Sequence, residues 1–172
     1  SVLEFGDVLL VFETRGLVEK HPDFKNQVMN EYYTTEGRIT GGKFYPKNGG
    51  DPENVSGGTP DKINEGGAFG SFIHAMRTRK VEDLNASAEV AHYSAALCHL
   101  SNISYRLGEP AAFKEGKPKM LGDNPQVMDS FAKIQSNLEA AGVNLAETNY
   151  QLGPVLTFDA FEERFTNNDK AN

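Results

Sequence analysis

His92, Cys98 and His99 gather the chemically versatile side chains of this 172-residue chain into one short segment. Glu89 and His92 form an E-x-x-H pattern, which sets a carboxylate and an imidazole on one helix face. Carboxylate-bridged di-iron bundles need that pair twice, with two further glutamates on other helices. A second copy is lacking, and so is H-E-x-x-H, so the pattern points instead to histidines satisfied in a core or interface. His92 and His99 are seven residues apart, two helical turns along one side, where each can bond a carbonyl across a helix contact. Cys98 is the single cysteine, so no internal disulfide forms, and its apolar surroundings read as those of a small buried hydrophobe. His99 points about 100° away from it around a helix and cannot act as its base. No G-x-S-x-G is present. Gly66-Gly67-Ala68-Phe69-Gly70 precedes a helical pattern, as a phosphate cradle would. It matches neither G-x-G-x-x-G nor G-x-x-x-x-G-K-[ST] and follows a polar loop, so it reads as a flexible helix start. Glu82-Asp83 and Glu162-Glu163 fall in turns and read as solvated surface. His21 and His74 show no spacing signature.

The charge balance narrows the partners. Seventeen Lys and Arg against 24 Asp and Glu give a net charge of −7. The densest basic stretch, Arg77 to Lys80, holds three cations, which argues against a nucleic-acid surface. The longest apolar run, Val8 to Phe12, has strand length, so no segment of about 18 apolar residues crosses a membrane. The chain opens without a basic start and apolar stretch. One cysteine fits a reducing compartment, so a cytoplasmic location is the expectation, with export by an upstream leader left open. The length fits one domain over residues 1–172.

The elements that must hold these residues follow from periodicity. Asp7 to Thr14, Val28 to Thr35 and Arg38 to Pro46 read as strands, the last two paired antiparallel through a two-residue Glu36-Gly37 link. In the first strand Val8, Leu10 and Phe12 point one way and Leu9 and Val11 the other. A strand apolar on both sides is normally covered on both sides. If the chain's helices all lie on one face, the other face needs a partner. Residues 48 to 66 form a polar loop. Phe69, Phe72, Ile73 and Met76 mark an amphipathic helix. A longer one runs from Ala86 to Leu107, capped by Asn85 and stopped by Gly108. It carries little charge on any side, which predicts a buried central helix with a small-residue stripe. A third spans Pro125 to Ala141, with Asp123 or Asn124 as cap and Gly142 as stop. Short extended pieces at Val155 to Phe158 and Arg164 to Thr166 precede a polar tail expected to fray. The fold class is α+β: a largely antiparallel sheet with helices packed on one face.

Several segments together resemble the C-terminal part of the glucose–fructose oxidoreductase / inositol dehydrogenase / MocA family of NAD(P)-dependent oxidoreductases. They are LLVFETRGL (Leu9 to Leu17), EYYTTEGRI (Glu31 to Ile39), the stretch from Phe72 to Gly108 and that from Leu152 to Asn172. H-Y-S-A-A-L-C-H-L, from His92 to Leu100, is the most specific of them. The resemblance implies a dihydrodipicolinate-reductase-like C-terminal domain whose open sheet face serves oligomerisation. It implies that the parent moves a hydride between NAD or NADP and a sugar, inositol or related polyol. Members carry an N-terminal Rossmann domain, a Glu-Lys-Pro motif and an Asp-x-x-x-His motif, and none of these occurs here. Glu115-Gly116-Lys117-Pro118 lacks the glutamate before its lysine. The expectation is therefore a truncated domain, inactive alone, that binds no cofactor itself and works with its own Rossmann domain. Arg15, His92, Tyr93 and His99 are then the residues expected to face the substrate cleft, in hydrogen-bonding or positioning roles. A stand-alone carbohydrate-binding or scaffolding module is the alternative.

Overall fold

A computed structural model describes residues 1–16, 28–55 and 66–172. The chain divides into two units, one of Ser1–Phe24 with Glu89–Asn172 and the other of Lys25–Ala88. All strand pairs among the described residues are antiparallel and three α-helices accompany them, so the fold is α+β.

The first unit opens with a hairpin of β1 (Val2–Phe5) and β2 (Val8–Val11). Gly6-Asp7 makes the two-residue turn, and Gly6 has φ 62°, a conformation that costs glycine little. The register pairs Leu3 with Leu10 and Phe5 with Val8 on one face, with Phe12 continuing that row. That face lies open: Phe5 is 49% exposed, Val8 61% and Phe12 53%. The outward alternation read from the sequence is therefore present, in a shorter strand than predicted and with an unforeseen partner strand.

The core of this unit is aromatic. β7 (Glu109–Ala112) pairs with β8 (Asn149–Leu152), and α3 (Pro125–Ala140) packs beside them. Phe113, only 5% exposed, lies 4.6 Å from Tyr150 and 6.2 Å from Phe131 between ring centroids, and Phe131 meets Tyr150 edge-on at 5.7 Å. The Asn124 side chain accepts from the amides of Gln126 and Val127, and Pro125 starts the helix, so the predicted cap is the observed one. β9 (Phe158–Asp159) and β10 (Arg164–Phe165) form a small hairpin around the Phe158–Phe165 contact.

The tail is pinned and does not fray as expected. Asn172 accepts from the Phe165 amide and donates to the Phe165 carbonyl. Asn167 likewise accepts from Thr157 N and donates to Val155 O. Asparagine amides with one donor and one acceptor each take the place of missing strand neighbours, a pairing that polarity alone does not disclose.

α2 (Ala88–Arg106) corrects a second expectation. None of its residues is buried, and Val90, Tyr93 and Tyr105 are exposed. Its low charge made it read as a central helix, yet the described residues do not cover it. Cys98 shares that exposure and is not the buried hydrophobe its neighbours suggested. What α2 does contact closely is the segment after β8. Ser104 donates to the Pro154 carbonyl at 2.9 Å. A Cβ on Gly153 would lie 2.3 Å from Ser104 Oγ and 2.6 Å from its carbonyl oxygen. Gly153→Ala should therefore force helix and strand apart at a cost of about 1–3 kcal/mol. Calorimetry should show the melting midpoint several degrees lower; an unchanged midpoint would refute that close approach.

The second unit holds a four-stranded sheet in the order β3 (Glu31–Tyr33), β4 (Gly37–Thr40), β5 (Lys43–Pro46), β6 (Glu53–Asn54). The stretch read as one strand, Arg38 to Pro46, is a hairpin, because Gly41 and Gly42 both take positive φ and reverse it. The β3–β4 link closes one residue earlier than predicted, with Thr34 N bonding Gly37 O across Thr35-Glu36. α1 (Gly67–Thr78) buries Ser71 and Ala75 and turns Phe69, Phe72, Ile73 and Met76 outward. β6 lies inside the stretch read as a polar loop; residues 56–65 of that stretch, like His21, lie outside the described residues.

Candidate functional site

His92 sits on the second turn of α2, and its partner is supplied from the β9–β10 turn. There the Asp159 carboxylate accepts from the amides of Phe161 and Glu162, folding the chain back tightly. Glu163 follows with φ 49°, a left-handed conformation unusual for a residue with a side chain. This turn brings Glu163 Oε1 to 2.8 Å from His92 Nε2. The Tyr93 ring stands edge-on to the imidazole, centroids 5.4 Å apart.

The chemistry open to this pair is that of an oriented imidazole. A neutral His92 donating from Nε2 keeps Nδ1 as an acceptor, and a protonated His92 makes the contact an ion pair. Both side chains are about half exposed, so water screens the interaction and its contribution to stability is below about 1 kcal/mol. Its value lies in fixing ring direction. The glutamate doublet read as solvated surface thus supplies the histidine's partner, where a carbonyl was expected. The missed signal is Asp159, whose spacing to the doublet marks an Asx turn. Asp83 of the other doublet is likewise drawn to His74, 3.4 Å away.

Arg15 is engaged elsewhere in the same unit. Its guanidinium donates to Glu13, and the other Glu13 oxygen accepts from the Ser130 hydroxyl of α3. Burial pushes the Glu13 carboxyl up. The hydrogen bonds from Ser130 and Arg15, with the charges of Arg15 and Lys133, outweigh it and hold the carboxyl below its ordinary value of 4.5. A depressed folded-state pKa gives stability that is present above 4.5 and lost as pH falls through the folded value. Glu13→Gln should therefore cost about 1 kcal/mol at pH 7 and less at pH 3, because the stability linked to the depressed carboxylate is lost as pH falls. Urea unfolding midpoints at the two pH values check this; an equal difference at both would contradict it.

Of the four residues singled out from the sequence, His92 and Tyr93 therefore touch. His99 lies two turns further along α2, about 10 Å along its axis, and is exposed. Arg15 shares no hydrogen bond or ion pair with the other three. None of them lines the cleft of about 420 Å³ between the β1–β2 hairpin and the start of α3, bounded by Val2, Glu4, Leu9, Met120, Asp123 and Val127. Lys117 donates to Asp123 at 2.8 Å and holds that carboxyl below its usual range. Among the described residues, no three His, Cys, Asp or Glu side chains are grouped to hold a metal ion, and no helix is long and apolar enough to cross a membrane. Set against known proteins, the chain matches no family model, no curated sequence and no solved structure.

Proposed function

We propose that the chain is the C-terminal substrate-cleft and oligomerisation part of an NAD(P)-dependent oxidoreductase that acts on a sugar, inositol or related polyol. One observation carries the reading: the β1–β2 hairpin turns Phe5, Val8, Leu10 and Phe12 outward together on one face. Contiguous apolar surface of this kind is hidden in working proteins by a partner. In this reading the partner is a second subunit laid on the open face, in the manner of dihydrodipicolinate-reductase-like C-terminal domains.

In this reading the dinucleotide is not held by this chain. The sequence carries no G-x-G-x-x-G, and the strand pairs among the described residues are antiparallel. On this reading the cofactor and the acid/base residue belong to a Rossmann domain of the same protein. His92, oriented by Glu163, offers the substrate a hydrogen-bonding group of fixed direction, with Tyr93 beside it. Arg15, clamped by Glu13, and His99 are positioning candidates outside that cluster.

The coding sequence upstream of Ser1 is the test. About 150–200 residues of βαβ pattern containing G-x-G-x-x-G support the reading. A start codon immediately before Ser1 removes it.

A further inference from the structure

The register of the β3–β6 sheet sorts its side chains cleanly. Tyr32, Ile39 and Phe44 share one face. Tyr33, Arg38 and Tyr45 form a row straight across the other, beside a second row that includes Glu31 and Lys43. A face that only meets water needs nothing more than mobile polar side chains. Here the groups are tied to one another. The Tyr33 hydroxyl donates to Glu31 Oε2 at 2.6 Å, and Arg38 Nη1 reaches Glu31 Oε1 at 3.5 Å. The Arg38 guanidinium also lies over the Tyr45 ring, 5.3 Å from its centroid. Tyr33 is left 53% exposed, so its ring is open to a ligand.

We propose that this face is a binding platform for a neutral pyranose oligosaccharide. The C–H face of a sugar ring stacks on an exposed phenol ring. Each adjacent hydroxyl both donates and accepts, which suits a carboxylate fixed beside a guanidinium: Glu31 keeps free lone pairs and Arg38 keeps free N–H groups. Tyr33 and Tyr45 are two strand spacings apart, about 10 Å, so an extended chain across the strands suits the row better than a single ring. Glu31, Arg38 and Lys43 sum to one positive charge, too little to recognise a polyanion. The platform lies wholly on this chain and does not depend on the oxidoreductase reading.

The test is an amide-resolved NMR titration of the 172-residue chain with cellohexaose, maltohexaose and, separately, inorganic phosphate. The expected result is saturable shifts confined to residues 31–54 with at least one glucan and none there with phosphate. Tyr33→Ala and Arg38→Lys should each weaken that binding at least fivefold, Tyr33→Phe less, and Tyr32→Ala, on the opposite face, not at all. The dispersion of each variant's spectrum reports its fold, and the wild-type titration decides by itself if a variant unfolds. No shift with either glucan, shifts elsewhere, or shifts on this face with phosphate would overturn the proposal.

Discussion

Phe113→Ala is expected to cost about 3–5 kcal/mol, the usual range for deleting a buried aromatic side chain. That is a large share of the 5–15 kcal/mol by which domains are stable, and little else in the unit can absorb it. Among the described residues only Ala75, Phe113, Val127 and Phe165 are buried apolar residues, and Ala75 belongs to the other unit. The substitution removes the ring that Phe131 and Tyr150 both meet, and the loss of those two tilted ring contacts is part of that cost. Urea unfolding followed by circular dichroism should show the transition moved far toward water or lost. Phe161→Ala, at a ring 91% exposed, is the matched control and should leave it in place. Equal effects from the two would mean that the aromatic cluster is not the core.

The second large effect is on association. Val8→Lys with Leu10→Lys puts two charges on the outward face of β2 without touching its ladder hydrogen bonds, since both side chains are exposed. Burial of side chains of this size in an interface contributes about 1.5–3 kcal/mol each. Losing both should weaken self-association by two orders of magnitude or more. Light scattering after size exclusion should return the mass of a single chain for the double variant. Its circular dichroism should match the parent's, because lysine is tolerated, even favoured, at exposed sheet positions. An unchanged oligomer would place the interface elsewhere.

The particular elements show where the sequence was legible. α3 was readable end to end because Asn124, Pro125 and Gly142 are local signals that act on their own helix. β1 was missed because four residues before a Gly-Asp turn are too short to stand out as a strand unless that turn is read first. The Arg38 to Pro46 stretch hid a hairpin in the glycine pair at its centre. α2 was misjudged for a different reason. A low-charge helix is covered only if something is present to cover it, and composition cannot say whether that cover lies within the same chain. The site followed the same divide. His92 and Tyr93 were visible as residue types, whereas Glu163, 71 residues from His92 in sequence, is brought there by an Asx turn. Arg15 was singled out to face a substrate; its bond to Glu13 is local, and the Ser130 bond to that same carboxylate depends on the approach of α3, which no local signal gives.

The proposed oxidoreductase role turns on the open face of the β1–β2 hairpin being made to meet another surface. Sedimentation equilibrium of the 172-residue chain tests this most directly. The predicted result is a mass of at least twice 18.9 kDa, falling to 18.9 kDa in the doubly lysine-substituted variant. A folded wild-type chain that sediments as 18.9 kDa at every concentration up to its solubility limit would contradict it.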